Sequence, residues 1–336
     1  MARRALTSLT AAAAAVAWRL PVDVTTLDAA LSAATSVLAD RGVPEPGISA
    51  EHLLCRSAGF GSDRMALRLQ GSTPIASEAR DTFEAMCAQR LNRVPVQYIL
   101  GDWDFRELTL ALRAPVLIPR PETEELVGHV IESCANSGAP ADRPLRFLDV
   151  GCGSGAIGLA LLHELPSTFC IGIDVSQAAA NLAAHNAERC GLSRRYEAHL
   201  VPGGVANYGR GDAAGAHASA FTPFDLIVSN PPYIPRADMA TLEPEVACHE
   251  DDRALCGGAD GLDVVRDLLR AAPRLLRPDG PRTIWLEVDT SHPLLLDEWL
   301  RSPAQATALR MELVQWLRDA AGRPRFCEVR WLGPIG

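Results

Sequence analysis

The sequence predicts an α/β protein, a mostly parallel sheet preceded by a small all-helical N-terminal domain. Three observations predict it. From about residue 119 onward, short apolar strands alternate with helical stretches, the pattern of βαβ units. A glycine-rich turn, Gly151-Cys152-Gly153-Ser154-Gly155, joins one such strand to an apolar helical run, and the next strand ends in an acid, Asp174. Before residue 95, apolar residues recur at helical spacing between short Gly/Pro breaks.

Residues 1–22 stand apart. Met1-Ala2-Arg3-Arg4-Ala5 opens an Ala-, Ser- and Thr-rich stretch that carries Arg19 and has no acid before Asp23. That composition reads as a mitochondrial transit peptide. A secretory signal centred on Ala11–Ala17 competes, but alanines are weakly apolar. An unstructured tail with no address is the bland alternative. Residues 23–94 are expected to form the helical domain, with helices over Thr26–Ala39, Ser49–Ser57 and Ala76–Arg90 and a break at Gly42–Gly47. Residues 95–118 read as an extended connector, in which Pro95–Gly101 is extended and half-buried and Gly101 allows a turn. Pro121 then starts a helix whose first turn holds Glu122, Glu124 and Glu125, where the helix dipole favours acids. The α/β domain is expected over residues 119–336. Two stretches, Asn136–Arg143 and the Gly/Ala-rich Gly203–Ala220, read as loose loops.

The strand Arg146–Val150 runs into the glycine turn, which brings backbone close to a ligand at a helix N-terminus. Glycines also serve tight turns, so the turn alone is weak evidence. Asp174 lies about 20 residues further on, the spacing of a carboxylate that grips ribose hydroxyls. It could equally cap the helix that follows Ser176. Together the two features indicate a nucleoside, and both NAD and S-adenosylmethionine fit. No second nucleotide half follows. The apolar run Phe224–Ser229 ends instead in Asn230-Pro231-Pro232-Tyr233. The two prolines lack N–H groups and stiffen the chain. The result is a turn of bare carbonyls between an amide and an aromatic ring. Such a turn suits a flat group with an NH2, which Asn230 and a proline carbonyl would accept while Tyr233 covers its face. A planar NH2 occurs on a carboxamide or on adenine. For Pro-Pro alone, a simple exit from a buried strand would be the better reading.

Composition narrows the classes. The 336 residues, 48% hydrophobic and 22% charged, allow roughly two ordinary globular domains. No apolar run reaches the roughly 18 residues of a membrane span. Nine scattered cysteines, odd in number and without a C-x-x-C pair, argue for reduced thiols. The eight histidines show no metal spacing. A net charge of −9 disfavours a large nucleic-acid surface and suits a basic protein partner.

On the glycine turn, Asp174 and Asn-Pro-Pro-Tyr, the chain resembles the class I S-adenosylmethionine-dependent methyltransferases, which have a Rossmann-like fold. The N-P-P-Y form resembles those that methylate planar nitrogen, either adenine N6 or glutamine N5. Pro95-Val96-Gln97-Tyr98-Ile99-Leu100-Gly101 and Ile118-Pro119-Arg120-Pro121-Glu122-Thr123-Glu124 then resemble the HemK/PrmC family, which methylates the glutamine of the Gly-Gly-Gln motif in peptide chain release factors. Related ribosomal-protein glutamine methyltransferases carry a different tail after Ile-Pro-Arg. The resemblance runs from about residue 25 to the C-terminus. It implies S-adenosyl-L-methionine held by Gly151, Cys152, Gly153, Ser154, Gly155, Asp174 and Asn230. It implies a release factor glutamine bound by Asn230, Pro231, Pro232 and Tyr233, of which Asn230, Pro231 and Tyr233 are catalytic, with no metal. It further implies an antiparallel last strand, substrate recognition by the helical domain, and a monomer that uses neither nucleic acid nor membrane. Adenine N6 of a nucleic acid remains the alternative acceptor. Two departures stand out. No acid stands at Val201, where relatives often place one near adenine, and Ala247-Cys248 replaces a more usual basic and polar pair.

Overall fold

Helical periodicity governs residues 27–100. The computed structural model describes residues 17–136, 143–209 and 223–334, in two units that divide between Gly101 and Asp102. The N-terminal unit contains α1 (Leu27–Asp40), α2 (Pro46–Ser57), α3 (Arg64–Leu69), α4 (Ser77–Leu91) and α5 (Val96–Leu100). Leu27, Ala30, Ala34 and Leu38 recur on one face of α1 and are buried with Leu53 and Leu54 of α2 and Phe83 and Cys87 of α4. Thr26 caps α1 by accepting from Ala29 N–H at 3.3 Å. The short α3, capped by Asp63, was not expected from the sequence.

Two expectations are corrected here. Val96–Leu100 is helical, not extended. Val96, Ile99 and Leu100 fall at helical spacing and pack against the N-terminal core, and Gly101 ends the turn at φ +80°. Residues 17–22 do not behave as detached leader. Leu20 is buried, the Trp18 ring meets Phe83 edge-on at 6.3 Å, and Glu84 accepts from Leu20 N–H at 3.0 Å and pairs with Arg19 at 2.6 Å. The remainder of the proposed leader, residues 1–16, lies outside the described residues, as do 137–142 and 210–222 of the two expected loops.

The second unit starts with an antiparallel hairpin, β1 (Asp102–Phe105) and β2 (Leu108–Ala111), inside the stretch expected as connector. Then follow α6 (Pro121–Asn136), β3 (Leu145–Val150), α7 (Ala156–Glu164), β4 (Thr168–Asp174), α8 (Gln177–Arg189), β5 (Tyr196–Leu200) and β6 (Leu226–Ser229). Two short helices, α9 (Pro244–Ala247) and α10 (Asp252–Leu255), precede α11 (Asp263–Leu275), β7 (Thr283–Glu287), α12 (His292–Arg301), α13 (Pro303–Leu309), β8 (Met311–Arg318) and β9 (Pro324–Trp331). The sheet order is β5-β4-β3-β6-β7-β9-β8. β3 to β7 pair in parallel, and β9 is antiparallel to β7, as the resemblance implied. The edge strand β8 was not foreseen, because most of its residues are exposed or half-exposed and no apolar run marks it.

Helices cover both faces of the sheet. Along β3, Leu145 and Phe147 point into one apolar cluster with α6 and α7, whereas Leu148 and Val150 point into the other with α11 and α12. Helix α7 is buried from Ala156 to Leu162. Gly158 makes that possible, since a Cβ there would stand 2.7 Å from the Tyr196 ring and 2.8 Å from Cys170 Sγ. The chain runs outward from β3 through β4 to β5, then returns to the other side of β3 as β6. That reversal leaves a crevice beyond the carboxyl ends of β3, β4 and β6.

Candidate active site

The crevice is built by the ends of three strands. β3 ends in the glycine turn, where Gly151, Gly153 and Gly155 take φ of +74°, +54° and +84°. Residues with a Cβ rarely adopt these values. β4 ends in Asp174, whose carboxylate accepts from Gly153 N–H at 3.0 Å and Ser176 N–H at 2.8 Å. It therefore ties the glycine turn to the start of α8 rather than capping that helix directly. Burial raises its pKa, against those two bonds. β6 ends in Asn230, anchored by Ser229 Oγ donating to the Val150 carbonyl at 2.6 Å. The Asn230 carbonyl lies 4.0 Å from where a Cβ on Gly151 would stand, so the two motifs adjoin.

Two cavities meet at Asn230. The first, about 230 Å³, is lined by Gly151, Gly153, Asp174 and the apolar side chains of Ile173, Val201 and Val205. The second, about 170 Å³, is lined by Arg120, Pro231, Tyr233, Ile234, Leu242 and Val246. Leu117, Asn230 and Ala254 belong to both. Of the residues expected to hold cofactor, Gly151, Gly153, Asp174 and Asn230 line the first cavity. Cys152, Ser154 and Gly155 do not. Cys152 turns into the core, where burial pushes its thiol up, and the Ser154 carbonyl is taken by Asn186 Nδ2 at 2.9 Å. They shape the turn. Of the residues expected to hold substrate, Asn230, Pro231 and Tyr233 line the second cavity and Pro232 lines the first. Successive residues of extended chain face opposite ways, which separates the two prolines.

The Asn-Pro-Pro-Tyr turn is held from behind. Gly257 N–H donates to the Ile234 carbonyl at 2.9 Å, and a Cβ on Gly257 would stand 2.6 Å from the Pro232 carbonyl. A Cβ on Gly261 would collide with the Tyr233 carbonyl. The Tyr233 hydroxyl accepts from Arg325 Nη1 at 3.3 Å, and that guanidinium lies 5.8 Å from the ring centroid. Asn230 Nδ2 donates to Thr123 Oγ1 at 3.1 Å, and Thr123 donates to Glu287 Oε2 at 2.8 Å.

Several lining and supporting groups escaped the sequence reading. Arg120 Nη2 donates to both carboxylate oxygens of buried Glu250, at 2.8 and 2.7 Å. Asp251 and Arg253 pair at 2.6 Å on the wall of the first cavity. Arg274 Nη2 donates to the carbonyls of Val205, Ala206 and Tyr208 at 2.8, 2.8 and 2.9 Å and so braces the loop that carries no acid at Val201. Arg120 and Thr123 lie within the Ile-Pro-Arg-Pro-Glu-Thr stretch already singled out. Glu287 had a signal too, an acid inside an apolar strand.

Chemically, the first cavity combines an apolar slot, close-approach glycine backbone and three acids, Asp174, Asp251 and Asp267, of which Asp251 is paired with Arg253. These fit a ligand with an adenine face, ribose hydroxyls and a cationic sulfur, as in S-adenosylmethionine. Among the described residues, no cluster of His, Cys, Asp or Glu could hold a metal.

Comparison with known proteins agrees with this geometry. Residues 29–101 match the family described as PrmC N-terminal domain, and residues 139–243 match the methyltransferase small domain. The chain is 43% identical over 308 residues to the human MTRF1L release factor glutamine methyltransferase, covering 89% of this chain and 86% of that protein. It is 45% identical to the release factor glutamine methyltransferase of Rhodospirillum rubrum, over 64% of this chain and 60% of the relative. The Deinococcus radiodurans enzyme of the same name is 35% identical over 90% and 98% of the two chains. The sheet order, with the methyltransferase match, is that of the class I S-adenosylmethionine-dependent methyltransferase fold. The family resemblance read from the glycine turn, Asn-Pro-Pro-Tyr and Pro-Glu-Thr-Glu is borne out: this chain belongs to the release factor glutamine methyltransferases.

Proposed function

We propose that this chain methylates N5 of the glutamine in the Gly-Gly-Gln motif of a peptide chain release factor, and that it does so in mitochondria as a monomer. The observation that carries the site assignment is the meeting of two cavities at Asn230. The larger one takes S-adenosylmethionine, with Gly151, Gly153 and Asp174 as its polar contacts. The smaller one takes the glutamine side chain. When bound, the cofactor supplies a methyl on a positively charged sulfur.

The residues of the chain do the rest. A carboxamide nitrogen is a poor nucleophile, because its lone pair is delocalised into the carbonyl. Asn230 Oδ1 and the Pro231 carbonyl accept its two hydrogens and raise its electron density as the new bond forms. The Tyr233 ring, steadied by Arg325, holds the amide plane. Alignment of nitrogen with methyl and sulfur is the main source of rate. No general base is assigned, and the extra proton passes to water after transfer. The prolines add no donor that would compete for the same acceptors.

The helical unit is the proposed recognition domain for the release factor. Targeting rests on the acid-free, Arg-bearing start of the chain. Because Trp18 and Leu20 pack into the folded unit, a cleaved leader would end before Trp18. The test is incubation with purified organellar release factors and labelled S-adenosylmethionine, with the site mapped by mass spectrometry. Label on the Gly-Gly-Gln glutamine is expected. Label on RNA alone, or none on protein, overturns the reading.

A further inference from the structure

We infer that Thr123 and Glu287 form a hydrogen-bond relay that decides which atom of the Asn230 amide meets the substrate. The inference rests on the glutamine-methylation reading above and makes both residues positioning residues for it. Neither lines the cavities. The relay crosses three elements: Asn230 after β6, Thr123 in the first turn of α6, and Glu287 at the end of β7. Thr123 is 3% exposed and Glu287 0%, so water does not replace these bonds.

Donor and acceptor counting fixes the direction. An ionised carboxylate can only accept. The Thr123 hydroxyl hydrogen is therefore committed to Glu287 Oε2, at 2.8 Å. Its oxygen has only lone pairs left for Asn230, 3.1 Å away, and must face the amide NH2. That leaves Oδ1, the acceptor, for the glutamine NH2. If Glu287 is protonated, the order reverses. The acid donates to Thr123, the Thr123 hydrogen turns to Asn230, and the amide that suits it presents Oδ1 to Thr123 and Nδ2 to the substrate. Two NH2 groups then face each other and cannot pair.

The surroundings of Glu287 place this reversal near neutrality. The charged and titratable groups around it are Arg325 on β9, Arg120 and Glu122 at the start of α6, and the Tyr233 phenol, while His129 of α6 stacks on Trp285, two residues earlier in β7. Burial pushes the carboxyl up to about 7, against the Thr123 bond and the Arg325 charge. Its second oxygen, Oε1, has no hydrogen-bond partner among the described residues and adds to the cost of the charged form.

The test compares the full chain with Thr123→Val, Thr123→Ser and Glu287→Gln. Thr123→Val keeps the shape and deletes the hydroxyl. Its kcat should fall about 10²-fold, the scale of a misplaced reacting group, while the KM for release factor and the Kd for S-adenosylmethionine stay put. Thr123→Ser should restore most of the rate, which a loss of packing alone would not predict. In wild type, kcat should decline below pH 7, and Glu287→Gln should abolish that limb. Wild-type kcat in Thr123→Val, or an unchanged acid limb in Glu287→Gln, overturns the relay. A wild-type chain that methylates no glutamine overturns the functional reading instead. The relay is then decided by NMR on 15N-asparagine protein. The Asn230 NH2 signals should shift between pH 6 and 8 in wild type and stay fixed in Thr123→Val; signals that do not move in wild type overturn it.

Discussion

At the residue scale, Asn230 and Asp174 should separate cleanly. Asn230 stands where two cavities adjoin and Asp174 lines only the larger one. Asn230→Ala is expected to lower methyl transfer by at least about 10²-fold, as loss of a preorganised transition-state contact does, with the cofactor Kd within about threefold of wild type. Asp174→Ala is expected to raise that Kd by roughly tenfold or more, the scale of a hydrogen bond to a charged group. Calorimetry and initial rates check both. Near-normal turnover in the first, or an unchanged Kd in the second, removes that residue from its role. Both positions were legible in the chain because each ends an apolar strand with a polar side chain. Thr123 was not, since a threonine in the first turn of a helix is ordinary. Only the approach of α6 to β7 brings it between an amide and a buried acid.

At the element scale, α7 shows how little room the site's scaffold has. Its Gly158 faces Tyr196 and Cys170 at distances shorter than normal contact for any added carbon. Gly158→Ala should destabilise the protein by about 1–3 kcal/mol through overpacking, despite alanine's better helix propensity. Urea denaturation measures this, and a stabilised variant would refute the packing argument. The same scale explains the errors of the sequence reading. Pro95–Gly101 carries β-branched and aromatic residues, which suggested extended chain. Val96, Ile99 and Leu100 nevertheless sit on one helical face against an apolar partner, and burial overrides a weak local preference. Strand β8 was missed for the converse reason. An edge strand in an antiparallel pair needs few buried side chains, so its backbone bonds to β9 hold it without a periodic signal.

For the whole molecule, buried acids set a pH dependence. Asp149 beside the glycine turn and Glu287 at the end of β7 both have folded pKa values raised to about 7, chiefly by burial. A raised folded value means the native state holds protons that the unfolded chain has released. The stability they contribute is complete below the unfolded values of roughly 4 to 4.5 and is lost as pH rises through 7. Thermal unfolding midpoints should therefore drop between pH 5 and pH 8. Asp149→Asn, which keeps the acceptor for Gly158 N–H, should flatten part of that slope. A slope identical to wild type would show that Asp149 is not its source.

The chain by itself determined the strands of the sheet apart from β8, the glycine turn, the acid and the Asn-Pro-Pro-Tyr turn. Each is a local matter of apolar periodicity, backbone freedom or missing N–H groups. Tertiary structure alone decided that the two motifs adjoin, that Pro231 and Pro232 face different cavities, and that Cys152 turns inward. It also decided that Thr123, Glu287 and Arg325 stand behind the Asn-Pro-Pro-Tyr turn. Those facts depend on the order in which β3, β4, β6 and β7 lie in the sheet and on helices docking across it. Contacts between groups 79 to 164 residues apart leave no period in the sequence to read.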